Sequence, residues 1–107
     1  MKVHKDTVVG HIHLTVSDLE RSLAFYRDIL GFEVSARYGS SAVFLSVGGY
    51  HHHIGLNTWA GRGATTAPEG HTGMYHVAFL YPSRLELAKV LKSVIEANYP
   101  IDGSADH

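Results

Sequence analysis

The stretch His11-Ile12-His13-Leu14-Thr15-Val16, followed by Ser17-Asp18-Leu19-Glu20-Arg21, decides the fold, because His76-Val77-Ala78-Phe79-Leu80-Tyr81, followed by Pro82-Ser83, repeats its pattern. Alternation in the first copy puts Ile12, Leu14 and Val16 on one face of a strand and His11, His13 and Thr15 on the other. Each copy opens on a histidine at the same strand position and leads into a helical pattern. Such a duplicated unit can relate its halves by a pseudo-twofold axis and bring His11 and His76 together. Neutral imidazole is the commonest side-chain metal ligand, so this pairing reads as a metal site.

Working outward, Ser17-Asp18 caps a helix in which Leu19, Leu23, Tyr26, Ile29 and Leu30 recur at helical spacing until Gly31 stops it. Residues 32–38 and 42–47 read as strands about the turn Gly39-Ser40-Ser41, and a third strand runs over about 50–57 after Gly48-Gly49. Residues 60–73 turn to Gly, Ala, Thr, Pro and Glu without periodicity, which marks a linker. A strand over 74–81 follows, then a helix carrying Leu85, Leu87, Ala88, Leu91, Val94 and Ile95 to about Asn98. Residues 100–107 are short and polar. The expectation is a single α+β domain over 1–107, with a first module over about 8–58, a linker over about 60–73 and a partial second module over about 74–107.

Composition narrows the class. With 107 residues, 45% of them apolar, the chain can bury a core. Nine Lys plus Arg against ten Asp plus Glu give a formal charge of -1, so nothing draws it to nucleic acid or an anionic membrane over long range. No apolar run approaches the roughly 18 residues of a membrane span, and the expected location is the cytoplasm. The absence of cysteine excludes a thiolate metal site and a thiol nucleophile. Nine histidines are the excess, and they point to metal or acid-base chemistry.

The run from His11 to Phe32, HIHLTVSDLERSLAFYRDILGF, closely resembles the opening signature of the vicinal oxygen chelate superfamily, which includes glyoxalase I, bleomycin-resistance proteins and extradiol ring-cleavage dioxygenases. Two further stretches, Tyr50-His51-His52-His53-Ile54-Gly55-Leu56-Asn57-Thr58-Trp59 and Pro100-Ile101-Asp102-Gly103-Ser104-Ala105-Asp106-His107, look more like the catechol extradiol dioxygenases. The resemblance implies paired βαβββ modules whose curved mixed sheet carries its helices on the convex side and surrounds a divalent metal, the second module here being incomplete. It implies a ligand from the first strand of each module, His11 and His76. The remaining ligand in such proteins is usually a carboxylate near the end of a module's last strand. At that point this chain offers His53, Gly55 and Asn57 and no acid, so His53 or His107 stands as the third ligand.

A carboxylate-containing triad holds ferrous iron or manganese through its negative charge, whereas an all-histidine set shifts the preference toward zinc, nickel or copper. The resemblance therefore implies Fe2+ or Mn2+, with Zn2+ or Ni2+ as the alternatives that the donors allow. The implied activity is that of a metal-dependent dioxygenase or glyoxalase-like enzyme acting on a small vicinal-oxygen, catechol-like substrate, an aromatic or dicarbonyl-type ligand. Its rivals are a non-catalytic module that binds a small aromatic molecule and a truncated inactive domain. An open sheet edge would be relieved by pairing, so a homodimer is expected, with exchanged segments as one form.

Among the other candidates, His13 shares the face of His11, where it either moves protons and orients substrate or lines the cavity wall. In the triplet, alternation assigns His51 and His53 to the cavity side with Gly55 and Asn57, and His52 to the helix side with Ile54 and Leu56. His53 is thus a candidate both for catalysis and for the metal. Trp59 and Tyr75 either line an aromatic pocket or belong to core or interface. His4 and His71 read as ordinary surface residues.

Overall fold

The computed structural model describes residues 1–105. Its regular elements are β1 (Ile12–Thr15), α1 (Leu19–Leu23), β2 (Glu33–Tyr38), β3 (Ala42–Ser46), β4 (Ile54–Asn57) and α2 (Arg84–Glu96). The strands form one mixed, open sheet in the order β1-β4-β3-β2, with β1 parallel to β4 and the other pairs antiparallel. The chain divides into two compact units, Met1–Ala64 and Thr65–His107, with the division inside the stretch read as a linker.

Parallel neighbours cannot be joined by a tight turn, so the path from β1 to β4 needs a crossover. α1 begins it. Asp18 caps α1 by accepting the Arg21 N–H at 3.0 Å, and that bond holds the Asp18 carboxyl below the ordinary carboxylate range. After Leu23 the winding widens into a π-helical segment, Ala24–Ile29, in which the Leu30 N–H reaches the Phe25 carbonyl at 3.0 Å. Gly31 then reverses the chain at φ 88°, an angle that side chains disfavour.

Register lines up Ile12, Ile54 and Leu45 in one row across the sheet and Leu14, Leu56 and Val43 in the next, all on one face. α1 packs on β4 and closes that face. Leu23, Val43, Leu45, Ile54 and Leu56 are buried completely, and Leu19 and Phe32 nearly so.

In the second unit, α2 is capped at both ends. Ser83 Oγ accepts the Glu86 N–H at 3.2 Å. At the other end Asn98, at φ 55°, lets the Tyr99 N–H bond the Val94 carbonyl at 3.2 Å and its own N–H bond the Ile95 carbonyl at 2.9 Å. Residues 74–81, expected as a strand, form none. A strand is held by bonds to a neighbouring strand, and the second unit contains no other strand among its described residues. Among the described residues no helix is long and apolar enough to cross a membrane.

Leu23→Ala removes a fully buried side chain where helix meets sheet. It should lower the unfolding free energy by about 2–5 kcal/mol in urea denaturation, and a negligible loss would show that α1 does not seal this core.

Candidate metal centre and aromatic face

The other face of the sheet carries the row His13, Gly55, Phe44, Ala36 and the row Thr15, Asn57, Ala42, Tyr38. Gly55 shapes it. A Cβ at Gly55 would stand 2.7 Å from His13 Nδ1, so the imidazole lies over β4 only because glycine leaves the space. From there it meets Phe44 edge to face at 5.9 Å and Trp59 at 5.4 Å. Tyr38 and His52 also meet Phe44, at 5.4 and 4.9 Å. The Trp59 N–H donates to Asn57 Oδ1 at 2.9 Å, which fixes its backbone beside the sheet. Trp59 and Tyr38 are 68% and 66% exposed, so their rings are open to a ligand. Edge and face contacts of this kind suit a flat ring.

Beside this floor stand His11, immediately before β1, and His51 and His52, shortly before β4. One ligand atom from each lies within 4.8 Å of the other two. The His11 and His52 rings are 4.2 Å apart, and His51 Nδ1 is 3.0 Å from His52 Nδ1. Backbone bonds hold the group in place. The Ile12 N–H donates to the His53 carbonyl at 3.0 Å and the His53 N–H to the Leu45 carbonyl at 2.8 Å. Ser35 Oγ donates to the His51 carbonyl at 2.8 Å. Burial, and then the neighbouring imidazoles of His11 and His51, push the His52 pKa below the ordinary histidine value. That favours the neutral ring, the form that ligates.

A divalent cation fits this donor set: three neutral nitrogens can hold it while leaving positions for solvent or ligand. The cluster contains no carboxylate, so it does not reproduce a 2-His-1-carboxylate triad.

His13 lies on the open face, as the alternation indicates. His53 is engaged elsewhere: its Nδ1 accepts the Val47 N–H at 3.3 Å and lies 3.4 Å from Ser46 Oγ. Alternation assigned His51 and His53 together, but residues 50–53 form no strand, and the structure groups His51 with His52. His76 belongs to the second unit, exposed, with its ring 5.0 Å from Tyr75. His107 lies outside the described residues. His4 accepts the Asp6 N–H at 3.1 Å near the N-terminus, and His71 is exposed in the linker stretch. Phe44 and Tyr38 carry no ligand-type or acid-base side chain of the kind that marks a candidate in sequence. The signal was there for Phe44, since alternation over residues 42–46 opposes it to Val43 and Leu45.

The model of the Glyoxalase/Bleomycin resistance protein/Dioxygenase superfamily matches residues 8–107. The chain belongs to that superfamily. It is 50% identical over 98 residues to a catechol-2,3-dioxygenase of Bacillus subtilis (strain 168), which covers 91% of this chain. The chain spans only 34% of that relative's length. Among solved structures it resembles a lactoylglutathione lyase from Agrobacterium tumefaciens, with TM-score 0.67 at 21% identity over 94% of this chain and 77% of that one. It also resembles a possible glyoxalase from Bacillus cereus, with TM-score 0.60 at 19% identity over 84% of this chain and 73% of that one. At such identities these two likenesses speak for the fold.

Gly55→Ala tests the aromatic face. The atoms in the way belong to the rotatable His13 side chain, so the fold should survive while the imidazole is displaced. Emission of Trp59, the chain's single tryptophan, and the His13 ring resonances should both change with little change in melting temperature. Unchanged spectra would place His13 off β4.

Proposed function

We propose that the chain is a metal-assisted module of the dioxygenase and glyoxalase kind that takes a small catechol-like molecule with vicinal oxygens. The observation that carries this reading is the juxtaposition of a ligand-type histidine cluster with an aromatic floor, His52 touching both His11 and Phe44. The identity with a catechol-2,3-dioxygenase supports the substrate class. His11 is the metal ligand on which the sequence pattern and the histidine cluster agree.

When bound, the cation stabilises negative charge on the vicinal oxygens of the ligand. The chain's own residues do the remaining work. Phe44 and Trp59 receive the ring and hold it in one orientation. His13 is the proton carrier: its Nδ1 edge lies against Gly55, and Nε2, the nitrogen farther from that backbone, is the one that takes the proton of a ligand hydroxyl.

The second reading is a binding module that sequesters an aromatic molecule without turnover, which the carboxylate-free cluster favours. β1 and β2 end the sheet, and we assign the chain to a homodimer in which a second copy relieves such an edge.

Oxygen uptake with catechol and added ferrous iron tests the enzyme. His13→Ala should reduce turnover by about 100-fold or more while catechol still quenches Trp59 emission. Quenching without any oxygen uptake by the parent chain would establish the binding module instead. Phe44→Ala should weaken catechol binding by about 3-fold to 12-fold, the cost of one aromatic contact. Light scattering should give twice the chain mass, and a monomer at high concentration would refute the dimer.

A further inference from the structure

We propose that His11, His51 and His52 form a three-imidazole site for a late first-row cation, zinc or nickel in preference to iron or manganese, built entirely within the Met1–Ala64 unit. The inference shares with the proposed function the reading of His11 as a ligand. It goes beyond that function in naming the partner ligands and the metal.

Adjacent residues in a strand point to opposite faces, so His51 and His52 can serve one ion only where the chain bends. It does so here, because the regular strand begins at Ile54. Their Nδ1 atoms are 3.0 Å apart. Two nitrogens bound to one cation at about 2.0–2.1 Å stand roughly 2.9–3.4 Å from each other at octahedral or tetrahedral angles. This pair is therefore already at ligand spacing. The Ile12 to His53 backbone bond brings His11 beside them, its ring 4.2 Å from that of His52. No residue beyond Ala64 is needed to complete three donors.

The choice of metal follows from charge and softness. Iron and manganese are weak binders in the divalent series and are retained by anionic carboxylates, whereas imidazole nitrogen alone holds nickel, copper and zinc far better. The cluster offers no carboxylate.

The test is titration of the metal-free full chain with zinc and, separately, with manganese, against a chromophoric chelator. One zinc per chain is expected, bound at least about 100-fold more tightly than manganese. His51→Ala and His52→Ala should each weaken zinc by more than the 10-fold to 100-fold that loss of an outer-shell partner costs. His76→Ala and His53→Ala should leave it unchanged. In the parent chain zinc should shift the imidazole nitrogen resonances of His11, His51 and His52 together, a readout that stands even where a variant fails to fold. Zinc lost with His76→Ala, zinc retained without both His51 and His52, manganese bound as tightly as zinc, or no zinc binding would each overturn the proposal. Catechol turnover is a separate readout: its absence would remove the proposed enzymatic function and leave a positive zinc result standing.

Discussion

The parallel pairing of β1 with β4 is the constraint on which the rest of the structure depends. Its register, Ile12 opposite Ile54 and Thr15 opposite Asn57, is bracketed by the bonds from Ile12 N–H to the His53 carbonyl at 3.0 Å and from Val16 N–H to the Asn57 carbonyl at 2.7 Å. The pairing demands a crossover, which α1 and the π-helical segment begin. It also sets the residue before β1 beside the residues before β4, and so brings His11 to the histidine triplet. A slip of one residue would turn the aliphatic rows toward the open face and set His13 against Ile54 or Leu56 instead of Gly55. Core and candidate site are thus fixed by the same register.

The elements that were legible are those whose signals are local. The Asp18 cap, the Gly31 stop, the Gly39-Ser40-Ser41 turn and the Ser83 cap each act within a few residues, and α1, β2, β3 and α2 stand close to where those signals place them. The face of His13 followed from period-two alternation, because it lies within β1. Alternation failed at His51-His52-His53, where residues 47–53 are tied into a bend by the bonds from Tyr50 N–H to the Val47 carbonyl and from His53 N–H to the Leu45 carbonyl. The segment 74–81 shows the complementary limit. Apolar alternation states that a stretch can be a strand, but a ladder partner has to exist for it to become one. The π-helical widening after Leu23 left no mark in the apolar spacing at all.

The role of Gly55 was equally hidden, because a glycine inside a strand signals only that something comes close. The register identifies what comes close: His13 on the neighbouring strand, with Phe44 on the far side. The same missing side chain therefore permits the imidazole to lie over β4 and to join a continuous aromatic surface. That surface continues through His52 to the histidine cluster. Ring recognition and cation recognition are in this way adjacent and share a residue.

Sharing a residue has an energetic consequence. Three neutral donors leave the full double charge of a cation uncompensated, unlike a triad with a carboxylate, so on the proposed reading an anionic vicinal-oxygen ligand supplies the balancing charge. The metal then tightens ligand binding, and by thermodynamic linkage the ligand tightens metal binding by the same factor. Neighbouring placement of the two surfaces, fixed by the β1 and β4 register, is what makes that coupling physically available.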